Sequence, residues 1–478
     1  MLMTLIQKEI MHHVLSVRFV ALLLMCVLLI PTTLSINYRK YNQNLINYQE
    51  SVKRAQADAE ENPPNAQDPN TEVSKLFLKP TPLSVFVNGL EDALPTYLGM
   101  TRNGVRQSST GLTQASVAYV LGNLDFLFIV GTIFSLLALL FTFDAVAGER
   151  EAGTLRINLS NPLPRDVFLW SKLIGGYVVF VIPFLVSFLL GLLLLVWQGF
   201  PLGEFKVAAP VFCLTLISLL YIAVFFAIGV VISTYLDNAK TALIVAFTFW
   251  VLAVLVAPRG AFIVAKLVSP TRTQQTVYME KSALRNNLRK DKEEKIGEKM
   301  VETMAVGGHV NLTLNDPGTQ QRLNNLRKPI EEQFRLAFQN QAGKIDRDYQ
   351  REKDRQEYVG ETFSRIAPTS SLTYIAMNLT QTGKLKRKVY FQTGERYYNQ
   401  LDDSYFSGIS DDTLGQFMQL VNRMDDSSES EKILPPPPLM EPSLSDTLRR
   451  SAVDVFLLGF FAVAFTTVAF LKFFRSDI

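Results

Sequence analysis

The most distinctive spacing of charged residues lies in residues 144–172, a short polar stretch between two apolar runs. Within this stretch Glu149, Arg150 and Glu151 follow one another at the start of a predicted short helix. Acidic and basic groups that alternate in this way can make charge-assisted hydrogen bonds with a partner protein. The chemistry that such a cluster can do is therefore non-covalent recognition, of a partner protein or of lipid headgroups, rather than the making or breaking of bonds.

The same stretch continues as a short amphipathic helix. Leu155 and Leu159, four residues apart, give this helix an apolar edge, and Asn161-Pro162 ends it. Gly153 would allow another backbone to approach closely. Such a helix can dock in a groove of a cytosolic partner, or it can rest on lipid headgroups as an interfacial helix. Composition alone favours neither interpretation.

Motifs that carry catalysis are missing from the sequence. It has no HExxH, no G-x-S-x-G and no GxxxxGK[ST] phosphate loop, so ATP hydrolysis by this chain is not expected. The histidines His12, His13 and His309 have no paired Cys/His spacing, and no metal site is predicted. Because Cys26 and Cys213 both lie in apolar runs, no disulfide is predicted.

The elements that must position the charged stretch are membrane spans. Of the 478 residues, 48% are hydrophobic and 19% charged, whereas about a quarter are charged in a typical soluble chain. The net charge of +3 is too small to indicate nucleic acid as a partner. A helix of about 20 apolar residues crosses the hydrocarbon core, and the sequence predicts an all-α polytopic membrane protein with six such spans. The six apolar runs are Phe19–Ile36, Leu124–Phe143, Leu173–Val196, Val207–Ile232, Thr241–Val256 and Val453–Leu471.

Two of the six runs leave alternatives open. The first run follows Lys8 and Arg18 and could be a signal peptide, although no A-x-A-like cleavage site comes after it. The fifth run is short. It could continue past Pro258 with Arg259 snorkelling to the surface, or it could break there into a second, interfacial helix.

Lysine and arginine in the short connecting segments predict the orientation of the spans. QGFPLGEFK, the only short segment on one side, carries a single lysine. The segments on the other side carry Lys8, Arg18, Arg150, Arg156, Arg165, Lys172, Lys240, Lys472 and Arg475. We therefore expect residues 1–18, 144–172 and 472–478 to be cytoplasmic, and the long segments 37–123 and 257–452 to lie outside.

The two outside segments are predicted to form two mainly helical extracytoplasmic domains. In the first, a helix leaves the membrane and stops at the turn-rich NPPNAQDPN. In the second, one helix begins near Ser269 as a possible N-cap, and another covers about Pro329–Ile366. Residues 367–383 are more apolar, and we expect them to lie on the membrane or against the other chain of a dimer.

Ionisable side chains are missing from the middle of all six predicted spans. Asp125 and Asp454 lie at outer ends, and Asp144 lies at an inner end. Transporters driven by an ion gradient usually place such groups inside the bilayer. If the protein couples an energy source to movement or transport, we therefore expect that source to act at its cytoplasmic face.

The cytoplasmic stretch resembles a loop of a known family. Its E-R-E-x-G-T-L, followed by N-P-L-P-R and then Lys172, resembles the loop between the second and third spans of ABC-2 type permeases. The N-terminal LIQKEIMHHVLSVRF is similar to the interfacial helix that precedes their first span. The region from IAPTSSLTYIAMNLTQTG through PPPP to the C-terminus looks like a subgroup with large extracytoplasmic domains. That subgroup is related to permeases of gliding motility, sodium export and copper-enzyme maturation.

The resemblance implies partners and a location. It implies a dimer of permeases, identical or related, in the bacterial inner membrane, with each permease seated on a separately encoded ATP-binding subunit. ATP and Mg would be bound by that partner, and this chain would hold no cofactor. The residues for which the resemblance implies contact with the ATP-binding subunit are Glu149, Arg150, Glu151, Gly153, Thr154, Leu155, Arg165, Lys8 and Glu9.

Three functions are compatible with these features. The leading hypothesis is the transmembrane subunit of an ATP-driven exporter. The alternative is a mechanical transmitter, in which ATP-driven motion of the spans acts on a periplasmic partner and no substrate crosses. More than half of the chain is predicted to lie outside the membrane. This size favours the alternative, because a minimal pore does not need such large outside segments. The third is a membrane anchor or sensor without energy coupling, which the loop motif disfavours.

Overall fold

The computed structural model describes residues 2–61, 71–102, 104–108, 124–160, 164–305, 317–406, 435–439 and 442–475. The described chain is mostly helical, as predicted. Its helices are α1 (Leu2–Val14), α2 (Val17–Glu61), α3 (126–142), α4 (Ala147–Glu151), α5 (Thr154–Ser160), α6 (Arg165–Trp197), α7 (Phe205–Tyr235), α8 (Ala239–Val268), α9 (Gln274–Ala305), α10 (Pro317–Ser364), α11 (Pro368–Leu379), α12 (Lys384–Ser404) and α13 (Leu444–Arg475). Its strands are β1 (Ser74–Phe77), β2 (Tyr97–Thr101) and β3 (Gly104–Gln107).

Six helices of the described chain are long and apolar enough to cross a membrane, which confirms the predicted number of spans. They are α2, α3 together with α4, α6, α7, α8 and α13. The fifth of them, α8, continues through Pro258 to Val268 rather than breaking. A π-helical segment at Val251–Val256 precedes this proline. Such segments shift the backbone hydrogen bonds locally within a continuing helix.

The chain divides into two compact units. The first contains the described residues up to Pro258 and those from Arg365 onward, and the second is Arg259–Ser364. In the first unit α2 packs along α6, and α7 packs along α13. Aromatic rings fill its core: the Phe126 and Phe188 centroids are 4.9 Å apart, and those of Phe134 and Phe184 are 5.1 Å apart.

Helix α11 packs inside the first unit against α7 and α13 of the same chain. Leu372 and Ile375 are fully buried there. The Tyr221 hydroxyl of α7 donates to the Gly131 carbonyl oxygen at 2.7 Å and lies 3.0 Å from the Thr369 hydroxyl. The expectation that residues 367–383 rest on the membrane or on a second chain is therefore corrected. Their apolar side chains are already covered by helices of their own chain.

In the first outside segment α2 ends at Glu61, and the described residues from 71 onward contain an antiparallel sheet in the order β1-β2-β3 together with two short 3-10 helices. Ser74 pairs with Met100, and Leu98 pairs with Gln107. The prediction of a mainly helical first domain is wrong for this part. The sequence contains Asn-Gly at 103–104, a strong hairpin signal that was not used in the prediction.

Helix α12 from the second outside segment covers this sheet. The Tyr390 hydroxyl donates to the Leu76 carbonyl oxygen at 3.1 Å, and the Tyr397 hydroxyl lies 2.7 Å from that of Ser74. Burial raises the pKa of Tyr397. The two outside segments thus build one small α+β domain together, and the prediction of one separate domain per segment is corrected.

The second unit contains an antiparallel pair of long helices, α9 and α10. The Arg272 guanidinium lies 3.1 Å from Glu352 and 2.8 Å from Glu280. The predicted N-cap at Ser269 is wrong, because α9 begins at Gln274 and the Thr273 hydroxyl accepts the Thr276 amide at 3.1 Å.

The other long helix of this unit also differs from its predicted bounds. It was expected from about Pro329 to Ile366, but α10 begins at Pro317 and ends at Ser364. Pro329 therefore lies inside the helix rather than at its start.

Candidate functional site

The segments predicted to be cytoplasmic meet at one end of the helix bundle in the first unit. The Arg18 guanidinium lies 2.8 and 3.1 Å from the two carboxylate oxygens of Asp144. The Arg165 guanidinium donates to the Phe474 carbonyl oxygen at 3.0 Å, which joins the start of α6 to the end of α13. The start of α2, the described part of 144–172 and the end of α13 therefore lie at one end of the bundle.

The predicted contact helix is two short helices, α4 and α5. Gly153 between them has a φ of +71°, a left-handed conformation that glycine adopts without strain. A Cβ atom at this position would meet nothing within 4 Å. The glycine is therefore used for the change of direction between α4 and α5, and no atom of the described chain lies close to its open side.

Glu149 in α4 is held by groups of its own chain. The Lys172 ammonium contacts one Glu149 carboxylate oxygen and lies 2.9 Å from Glu9 of α1. The Asn158 side-chain amide donates to the other Glu149 oxygen at 3.0 Å, and the Thr154 hydroxyl donates to the Glu149 carbonyl oxygen at 3.2 Å. These bonds tie α1, α4, α5 and α6 into one junction around Lys172, which is only 10% exposed.

Arg150 and Glu151 attach α4 to the segment before α8. The Arg150 guanidinium lies 2.7 Å from the Asp237 carboxylate and donates to the Leu236 carbonyl oxygen at 3.3 Å. The Glu151 carboxylate accepts the amide of Ala239, the first residue of α8, at 2.9 Å. An acidic group at a helix N-terminus is stabilising because it accepts an otherwise unpaired N–H and faces the positive end of the helix dipole.

Leu155 points into the protein and is 1% exposed. The predicted apolar edge for a partner is therefore corrected at Leu155, which anchors α5 instead, while the side chain of Leu159 lies outside the described residues. The buried neighbours that share the apolar cluster with Leu155 are Val146, Phe168, Leu169, Leu173, Val230, Ala469 and Phe473.

Helix α1 docks on α6 through a glycine. A Cβ atom on Gly175 would lie 2.8 Å from Glu9 Cβ and 3.5 Å from the Ile6 carbonyl oxygen, so only glycine permits this approach. Glu9 is buried at the junction, and burial lowers the pKa of the neighbouring His13. Lys8, on the other side of α1, is exposed.

The surface that remains open on α4 and α5 differs from the predicted one. Glu151, Gly153 and Thr154 are exposed, and so are Arg156 and Ile157, which the sequence analysis did not single out. Ile157 is 67% exposed, the largest fraction for any bulky apolar side chain in the described part of 144–172. The helical spacing could have indicated that Ile157 is exposed, because Ile157 lies two residues from Leu155 and so on the opposite side of the helix.

A family model described as an ABC-2 family transporter protein matches residues 3–478. The chain belongs to the ABC-2 transporter family. It is also similar to the probable ABC transporter permease protein NosY of Stutzerimonas stutzeri, with 36% identity over 124 residues. That alignment covers 25% of this chain and 44% of the relative, so the chain spans less than half of the relative's length.

Membership of the ABC-2 family and the six apolar helices make the protein a multi-pass transporter permease of the bacterial inner membrane. In general terms the family implies an ATP-binding partner and a dimeric arrangement. It also indicates that the chain is a non-catalytic transmembrane subunit.

This ABC-2 permease has two buried carboxylates at the opposite end of its bundle, and both have structural partners. Asp454 of α13 is 1% exposed and lies 2.7 Å from the Arg365 guanidinium. Asp125 accepts the Phe128 amide at 2.7 Å as the N-cap of α3, and it accepts the Asn88 amide at 3.0 Å. Pairing and hydrogen bonds of this kind offset the cost of burying these carboxylates.

Proposed function

We propose that this chain is the membrane subunit of an ATP-driven exporter and that a separate ATP-binding subunit docks on the exposed side of α4 and α5. The observation that carries the proposal is Ile157, a bulky apolar side chain on a short helix whose other side is anchored in the protein. An apolar side chain surrounded by exposed charges fits the pattern of protein interfaces, which have an apolar centre and a polar rim. Arg156, Glu151 and Lys8 supply exposed charges on the same end of the bundle.

Because α5 is anchored to several spans, a movement of α5 would also move those spans. Leu155 packs against α6, α7 and α13 through its apolar cluster, and Glu149 connects to α1 and α6 through Lys172. A displacement of α5 would therefore be passed to several spans at once, because closely packed interiors deform little. This supports the mechanism in which closure of the ATP-binding subunits moves the spans.

Only some of the predicted contact residues would touch the ATP-binding subunit, and the others would support them from within the chain. Glu151, Gly153 and Thr154 would face the ATP-binding subunit together with Arg156 and Ile157. Glu149, Arg150, Leu155, Arg165 and Glu9 would instead hold the docking surface in place, because each of them is partly or fully buried and is bonded or packed within its own chain. Glu151 and Thr154 also form one hydrogen bond each within the chain, but they are exposed. Reversing the charges of 149–151 would thus disturb the junction itself and would not isolate the docking contact.

The assembly would contain two permease chains and two ATP-binding subunits, with ATP and Mg bound by the latter. The experiment is co-expression of the permease with its cognate ATP-binding subunit, followed by measurement of mass and ATP turnover. We expect a complex of two plus two that hydrolyses ATP, and no hydrolysis by the purified permease alone. ATP turnover by the isolated permease would contradict the proposal.

The mechanical alternative is favoured by one observation. The outer α+β domain is joined across both outside segments by the Lys386–Glu91 ion pair at 2.7 Å, and its second segment continues from α11, which packs on α7 and α13. Movement of these spans would therefore reach the outer domain directly. ATP-dependent accumulation of a substrate in inverted vesicles would support export, whereas ATP-dependent change in the outer domain without accumulation would support mechanical transmission.

A further inference from the structure

We propose that α1 carries a binding site for a divalent transition metal of the zinc class, formed by Glu9, His12 and His13. These residues lie at i, i+3 and i+4 on one helix and so share one face. One potential ligand atom from each residue lies within 4.8 Å of those of the other two. No metal site was predicted from the sequence because it has no paired Cys/His spacing, whereas one helical turn and a buried carboxylate bring these ligands together.

The donor set determines the class of metal. Two imidazoles and one carboxylate suit zinc, nickel, cobalt or ferrous iron, and do not suit calcium or magnesium, which prefer oxygen ligands. In a tetrahedral zinc site, ligand atoms about 2.0–2.2 Å from the metal lie about 3.4 Å from each other. The potential ligand atoms of Glu9, His12 and His13 lie within 4.8 Å of one another, so they must approach each other by at most about 1.4 Å. Rotation of the exposed His12 side chain can supply that movement.

The surrounding groups hold two of the three ligands in place. Lys172 binds one Glu9 carboxylate oxygen at 2.9 Å, and the other Glu9 oxygen lies 3.9 Å from the His13 Nε2 atom. The His13 ring packs against Phe141 with centroids 6.0 Å apart. Groups that orient a ligand in this way strengthen metal binding, because the ligand side chains lose less conformational freedom when the ion binds.

The local charge also favours a cation. Lys172 contributes one positive charge, and its two partners Glu9 and Glu149 contribute two negative charges, so the three groups together carry one net negative charge. His12 is exposed, so water could complete the coordination shell from solvent. A site with three protein ligands keeps a position open for water, unlike closed structural sites with four protein ligands.

The test measures zinc binding to the full-length permease, purified in detergent with its affinity tag removed. Zinc uptake is followed by titration calorimetry, and cobalt replaces zinc as a probe whose visible absorption reports nitrogen and oxygen ligands. We expect one zinc per chain. We also expect His12→Ala to weaken zinc binding at least about tenfold, and because His12 is exposed this change leaves the packing of α1 intact.

A matched control is available because the chain has only three histidines. His309→Ala removes the third histidine, and we expect it to leave zinc affinity unchanged. His13→Gln and Glu9→Gln should each weaken binding as His12→Ala does. Absence of stoichiometric zinc uptake, uptake only at millimolar zinc, or uptake that His12→Ala leaves unchanged would overturn the proposal.

Discussion

Lys172, near the start of the third span, forms a buried ion pair with Glu9 of the N-terminal helix, with their charged atoms 2.9 Å apart. The same ammonium contacts Glu149. One lysine thus joins the N-terminal helix, the third span and the loop that we propose as the docking surface. Side chains from three elements converge on Lys172. We therefore expect loss of this junction to have a large, measurable effect on how these elements are held together.

Lys172→Met should release α1 and α4 from the third span. Removing one partner of a buried ion pair leaves an uncompensated charge and costs roughly 3 kcal/mol or more. We expect a lower temperature of thermal unfolding and faster trypsin cleavage after the exposed Lys8. The control is Lys240→Met, which changes an exposed lysine at the same end of the bundle and should alter neither quantity. Equal behaviour of the two variants would contradict the role of Lys172.

Gly175→Ala should displace α1 without removing any charge. The added Cβ atom would lie 2.8 Å from Glu9 Cβ, closer than two carbon atoms tolerate. We expect faster cleavage after Lys8 and a lower unfolding temperature, even though alanine by itself favours a helix over glycine by about 1 kcal/mol. Gly459→Ala in α13 is the control, because a Cβ atom there meets nothing within 4 Å. It should be neutral or slightly stabilising, and the docking of α1 through a glycine would be refuted if both variants were neutral.

The orientation of the spans gives a separate prediction. Single cysteines at Ser160 and Val301, both exposed positions, should react differently with a thiol reagent that does not cross the membrane. In intact cells with a permeable outer membrane we expect labelling at 301 only, and labelling at 160 only after the inner membrane is opened. The native Cys26 is buried and should stay unlabelled in both conditions. Labelling at 160 in intact cells would reverse the orientation and exclude α5 as a cytoplasmic docking surface.

The spans could be predicted from the sequence because each is a long continuous apolar run, a local property of the chain. Contacts between distant residues could not be predicted in the same way. Lys172 was recognised as a charge at the start of a span, but its pairing with Glu9, 163 residues earlier, depends on how α1 folds back onto α6.

The same limit explains the errors in the candidate site and in the outer segments. The composition of α5 identified an amphipathic helix, yet it did not show that Leu155 faces inward and Ile157 outward, because both sides of a short helix can be apolar. The sheet was missed because its strands are only four or five residues long. The helix that covers it comes from the other outside segment, so the burial of its faces is set by residues about 300 positions away.

The most direct test of the central claim is the association of the cognate ATP-binding subunit with Ile157→Asp. A charge placed at the centre of a desolvated contact should cost on the order of 2–5 kcal/mol and lower the affinity at least about thirtyfold. The matched control is Val301→Asp, which places the same charge at an equally exposed apolar position, 66% against 67%, on a helix of the second unit. We predict that Ile157→Asp loses the ATP-binding subunit during co-purification while Val301→Asp retains it, with both permeases present in the membrane at normal levels. Full retention of the subunit by Ile157→Asp would contradict the proposed docking surface.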